Sequence, residues 1–180
     1  MTGNLFRRLA RRFLSAVPVA VRCRETSELP PNADELFRKV FRVAGPVAGR
    51  HFILECVEPT TQGCTQLLGY VNFRAHKTGY LAGGLVVDAW RYRNLDRHVQ
   101  AEIKRHGGMA EWLMRHAVRA VAPCTAVYAY IGDKASETVN ARVGFRRTAT
   151  PYLFVLSESA ANAQLELDAL TESVASLGPF

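Results

Sequence analysis

The sequence predicts an α+β (mixed α/β) fold with strand and helix layers packed on one another. Two observations predict it. Apolar periodicity switches along the chain in the order strand, helix, three strands, helix, strand, helix, strand. A strand meander followed by a helix–strand–helix run needs a sheet covered by helices. The 180 residues, 48% of them apolar, suffice for one domain with a proper core.

The elements follow in order. LFRRLARRFLSAV is amphipathic: Leu5, Leu9, Phe13 and Val17 recur every four residues with arginines between them. It reads as a basic helix over residues 1–16 that docks on the body; a transit peptide or a membrane-surface helix are the other readings. PVAVRC alternates and reads as the first strand. In SELPPNADELFRKVFRVAGP, Asn32 is placed to cap a helix, with Asp34 and Glu35 in its first turn and Gly45-Pro46 ending it. RHFILECVE is a second strand, PTTQGCTQ a hairpin connection and LLGYVNFRAH a third strand. His76 to Gly79 turns the chain into YLAGGLVVDA, a fourth strand. Gly83-Gly84 inside it signals a bulge or a close approach by another backbone or a ligand.

WRYRNLDRHVQAEIK is basic and helical in its second half. RHGGMA then precedes a helix reaching about Ala122. CTAVYAYIG is a fifth strand, residues 133–143 a short helix closed by Gly144, and FRRTATPYLFVLS a sixth extended segment. The tail, 158–180, is an acidic helix. Ala160, Ala163, Leu167, Leu170, Val174 and Leu177 form a narrow apolar seam on it, to be buried on the body, the N-terminal helix or a second subunit.

Composition excludes several classes. No apolar run approaches the roughly 20 residues that span a bilayer. Cys23, Cys56, Cys64 and Cys124 show no metal spacing, and the five histidines form no cluster with them, so no metal is expected. Scattered thiols suit a reducing cytoplasm. The net charge of +7 is uneven: Arg7, Arg8, Arg11, Arg12, Arg22 and Arg24 precede the first acid, Glu25, and no base follows Arg147. A basic head and WRYR leave open an interaction protein that binds nucleic acid or an anionic membrane, although no recognised nucleic-acid motif is present.

RHGGMA carries the chemistry. A helix start leaves amide donors unpaired and holds positive dipole charge. An anion gains from both, and glycines let a phosphate approach. The spacing Arg105, Gly108, Ala110, following an apolar strand and opening a helix, resembles the coenzyme A signature of the GNAT superfamily of N-acyltransferases. ASETVNARVGF, ending in Gly144-Phe145, and the Gly-Tyr of LLGYVNF resemble that family's later helix and third strand. The resemblance covers residues 17–157.

The resemblance implies a mostly antiparallel sheet splayed between the fourth and fifth strands, with helices on both faces. It implies acetyl-CoA as acyl donor, with pantetheine along Leu85, Val86 and Val87. The pyrophosphate would lie at Arg105, His106, Gly107, Gly108, Met109 and Ala110. The reaction would be direct attack of an amine on the thioester. The family's tyrosine acid aligns with Asn140, which would contact the sulfur instead; Tyr128 and Tyr130 are the alternative acids. Asp88 is the first candidate base, with pairing to Arg91 or Arg93 as its structural alternative. Glu55, Glu58, His51 and His76 are weaker candidates. Residues 89–104 exceed the family's usual link, as a lid or acceptor-selecting element or as a helix that starts early and breaks at Gly107-Gly108. Asn140 also keeps open an acyl-CoA-binding sensor or scaffold without turnover. The tail seam offers a homodimer face.

Overall fold

The computed structural model describes residues 20–57, 65–157 and 164–179. Seven strands form one sheet: β1 (Ala20–Thr26), β2 (Arg50–Val57), β3 (Thr65–His76), β4 (Gly79–Val87), β5 (Val127–Tyr130), β6 (Arg146–Arg147) and β7 (Leu153–Leu156). Their order is β1-β2-β3-β4-β5-β7-β6, and every pair is antiparallel except β4 with β5. The helices are α1 (Pro31–Phe41), α2 (Ala89–Asn94), α3 (Arg97–Arg105), α4 (Met109–Val121), α5 (Lys134–Val143) and α6 (Gln164–Ala175). The predicted N-terminal helix and most of the β2–β3 connection lie outside the described residues.

The helices take both faces. On one, α3 and α4 bury Val99, Ile103, Leu113 and Met114 against Phe52, Leu54, Val71 and Phe73. On the other, Leu36 and Phe37 of α1 pack on Ile53, Tyr70 and Val86, while Leu170 and Val174 of α6 cover Leu81, Tyr128 and Leu153. The tail seam is thus spent on the body from Leu167 to Val174, while Leu177 stays exposed. Among the described residues no helix is long and apolar enough to cross a membrane.

Four local expectations are corrected. Asn32 does not cap α1: Pro30 stands at the N-cap and Pro31, whose fixed φ suits the first helical position, starts the helix ahead of it. That helix ends at Phe41, because Arg42 turns left-handed (φ 64°) and its N–H donates to the Arg38 carbonyl. Gly45 instead donates its N–H to Asp34 Oδ1 at 2.8 Å. Residues 89–94 are helical as well, started by the Asp88 cap. The sixth segment is a hairpin, β6 with β7, reversed through Tyr152 at φ 64°.

The glycine pair in β4 marks a bulge, as its sequence suggests. Tyr70 faces Val86 but Asn72 faces Gly83, so β4 carries one extra residue between them. Gly84 is also where a side chain approaches: a Cβ there would lie 2.3 Å from Phe37 Cε2. Both features bend β4 just past its pairing with β5.

Candidate active site

The parallel pair is short. Tyr80, Leu81 and Ala82 pair with Val127, Tyr128 and Ala129, and there the pairing stops. β4 runs on through Gly83 to Val87 with no strand on its β5 side. The two strands therefore separate at their carboxyl ends. Because they are parallel, the chain returns between them through α4, whose N-terminus lies at that same end. A crevice at the carboxyl ends of separating parallel strands is where open sheets bind ligands.

RHGGMA divides its work between two glycines. Gly107, at φ 84°, closes α3: its N–H donates to the Lys104 carbonyl at 3.0 Å, and the Gly108 N–H donates to Ile103 at 3.0 Å. This is the Schellman closure that favours glycine just past a helix end. A Cβ on Gly107 would also strike Glu111, 2.4 Å away. Gly108 is the N-cap of α4, at φ 101°, and a Cβ there would meet nothing within 4 Å. The amides of His106, Gly107 and Gly108 are thus occupied by α3 carbonyls. This corrects the expected cradle: its open donors are the first amides of α4, those of Met109, Ala110 and Glu111, which have no carbonyl within their own helix.

Charge around the junction is mixed. Lys104, Arg105, Arg115 and Arg119 line a cavity of about 490 Å³ with His106, Gly107 and Trp112. His106 stacks on Trp112 at 3.8 Å. Glu111 is the one acid among the lining residues, and Arg115 Nε holds it at 3.0 Å with Arg142 3.9 Å away. Lys104, Arg115 and Arg119 were not singled out from sequence. The signal was present: Trp112, Arg115 and Arg119 recur at 3-4 spacing on one face of α4.

The predicted chemical groups are dispersed. Leu85 and Val87 lean toward the α4 side, while Val86 is buried against α1. Asp88 caps α2, accepting from the Arg91 N–H at 2.9 Å and from Arg91 Nε at 3.1 Å. Tyr128 lies under α6, its hydroxyl 2.8 Å from Thr171 Oγ1, and burial raises its pKa. Tyr130 packs on the same cluster. Glu55 is buried and held by Arg22 and Arg24 at 2.7 and 3.1 Å. His76 Nε2 meets Ser173 Oγ of α6 at 3.1 Å. His51 is buried with Nδ1 2.8 Å from the Tyr70 hydroxyl and Nε2 unpartnered; burial lowers its pKa. Glu58 lies outside the described residues, and no group of three His, Cys, Asp or Glu among them could hold a metal.

Asn140 is the informative one. It is buried on α5, its Nδ2 donates to the Ser136 carbonyl at 2.9 Å, and its Oδ1 has no partner. Reversing the amide would set oxygen against the Ser136 carbonyl, so the orphaned atom is an acceptor. One of its two N–H donors is committed to that carbonyl. Asn140 therefore presents an oxygen that seeks an N–H, not an acid for a leaving thiolate.

A second cavity, of about 770 Å³, lies on the opposite face of the sheet between α1 and the end of α6. Its floor includes Leu81, Gly83 and Gly84, at the point where β4 leaves β5.

No family model and no curated protein matches the chain. It is similar to solved structures. One is a proposed N-acetyl transferase of E. coli, YhhK, bound to coenzyme A: 13% identical, covering 77% of this chain and 98% of that one, with a TM-score of 0.47. Another is a proposed acetyltransferase of the GNAT family from Desulfovibrio desulfuricans: 17% identical, covering 78% and 100%, TM-score 0.43. A third is AtaTR bound with AcCoA: 15% identical, covering 83% and 98%, TM-score 0.42.

Proposed function

We propose that the chain is an N-acyltransferase of the GNAT type, moving an acetyl group from coenzyme A to a primary amine. The opening of β4 from β5 at Ala82, with the start of α4 at its mouth, carries this reading. The residues fit the donor. Gly108, where a Cβ would meet nothing, and the first α4 amides offer an anion site, and Lys104 and Arg105 precede it at the end of α3. The free edge of β4 from Gly83 to Val87 offers backbone groups to an extended amide-bearing arm. The scattered cysteines, without metal spacing, suit a reducing compartment such as the cytoplasm.

The chain's own contribution is chiefly positional. Holding an amine against an activated thioester can lower the barrier by about 7–11 kcal/mol. Asp88 is held by its cap and by Arg91, so it is not a poised base. A second reading follows from Asn140, an amide that cannot protonate a leaving thiolate: a protein that holds acyl-CoA without fast turnover.

Binding and turnover separate these readings. Calorimetry with acetyl-CoA should show binding to the native chain, and Gly108→Glu should abolish it by placing a carboxylate at the open helix start. Equal affinity in that variant excludes the site. Thiol release from acetyl-CoA with an amine panel is expected for the transferase and absent for the sensor.

A further inference from the structure

We infer that the acceptor is a small amino-carboxylic compound with an apolar side chain, an amino acid or short peptide, seated in the 770 Å³ groove with its carboxylate on Arg74 and its amine at Asn72. The inference rests on the acyltransferase reading and names what that site acylates.

The groove lies where an acceptor must be. Its floor at Gly83 and Gly84 is the first stretch of β4 free of β5, so a ligand there meets the split from the face opposite α4. Its volume falls within the roughly 300–1,000 Å³ of small-molecule sites. The walls are apolar: Phe37, Phe41, Val43, Val47 and Leu177. Phe41, Val43, Val47 and Leu177 are exposed there, which is costly unless something covers them.

Polar groups are few and complementary to one ligand type. No aspartate or glutamate is among the lining residues, and Arg74 is their only charge. Among the described residues Arg74 forms no ion pair. Asn72 sits two residues earlier on β3, on the same face. Its Nδ2 is directed to the Ala48 and Arg50 carbonyls at 3.3 and 3.4 Å, which turns Oδ1 toward Gly83, 3.6 Å from where a Cβ would stand. The floor thus offers an acceptor for an amine N–H at the split and a guanidinium for a carboxylate one strand step away. A polyamine or aminosugar would bring extra ammonium groups against apolar walls and Arg74, with no carboxylate to offset them.

The same walls bear on the proton. Desolvation favours the neutral amine. The neutral nitrogen attacks the thioester carbonyl, a C–N bond forms, and the C–S pair leaves on sulfur. The proton shed by nitrogen is lost to water, and the thiolate regains one from water.

The test titrates L-phenylalanine, L-phenylalanine amide and spermidine onto the full chain, with and without coenzyme A. Phenylalanine should bind, its amide at least about tenfold more weakly, since a charge-assisted pair is lost. Spermidine should not bind. Arg74→Met should remove the preference for the acid over the amide, and thiol release from acetyl-CoA should follow the same order. Spermidine or the amide binding as well as phenylalanine overturns the inference, as does an unchanged preference in Arg74→Met. Failure of phenylalanine to bind while coenzyme A binds overturns the inference alone. Failure of coenzyme A to bind overturns the acyltransferase reading, and phenylalanine titrated without it still decides the groove.

Discussion

At the scale of single residues, neighbouring glycines serve different ends. Gly107 closes one helix and Gly108 opens the next, and only Gly108 faces open space. Gly83 and Gly84 divide similarly. A Cβ on Gly83 has nothing nearer than Asn72 Oδ1 at 3.6 Å, whereas one on Gly84 meets Phe37 at 2.3 Å and Phe41 at 2.8 Å. Gly84→Val should therefore destabilise by about 1–3 kcal/mol, as overpacking does. Gly83→Ala should stay within about 0.5 kcal/mol. Thermal unfolding of both checks this: equal shifts would show that Phe37 is not what excludes a side chain from Gly84.

At the scale of elements, the helices are set by their ends and their apolar stripes. Asp133 caps α5, accepting from the Ala135 and Ser136 amides at 2.9 Å, and these bonds with the Ser136 hydroxyl hold its carboxyl below the usual range. The tail helix depends on its seam instead. Leu170 is buried over Leu81 and Tyr128, while Leu165 on the same helix is 86% exposed. Leu170→Ala should cost about 2–5 kcal/mol. Leu165→Ala should cost no more than about 0.5 kcal/mol. Denaturant unfolding distinguishes them. A large cost at Leu165 instead would place a partner on the outer face of α6, where a homodimer would need it.

At the scale of the whole molecule, pH stability should reflect two imidazoles, His51 buried and His116 half-buried. Burial lowers the pKa of His51 and of His116 from the ordinary 6.5, outweighing the backbone of Val47 at the first and the Glu25 charge at the second, where Arg119 adds to the lowering. The folded state then prefers both neutral. Stability is full above about pH 6.5 and falls as pH drops below it, because the unfolded chain binds protons first. Melting temperature should decline from pH 7.5 to 5, and the double variant His51→Gln, His116→Gln should flatten that slope. An unchanged slope would assign the acid sensitivity elsewhere.

Much of this was legible in the one-dimensional pattern. Alternation marked β1, apolar β-branched runs between turn residues marked β2 to β5, 3-4 spacing marked the tail, and Gly144 closed α5, because these signals are local and each element must bury its own apolar face. The spacing of Arg105, Gly108 and Ala110 also located the start of α4. What it did not reveal depends on partners distant in sequence. The His106 to Gly108 amides were lost to α3 because 89–105 became two helices abutting α4. Tyr128 meets Thr171, 43 residues further on, whereas the pairing of Asp88 with Arg91 is local and was legible as an alternative. Arg74 and Asn72 joined Phe41 and Leu177 only when β3, α1 and the end of α6 met above the β4 bulge. The sequence by itself determined most of the strands and helices and where α4 starts. The tertiary structure alone decided which donors stay free and what lines the groove, because hydrogen-bond satisfaction and burial belong to neighbours in space.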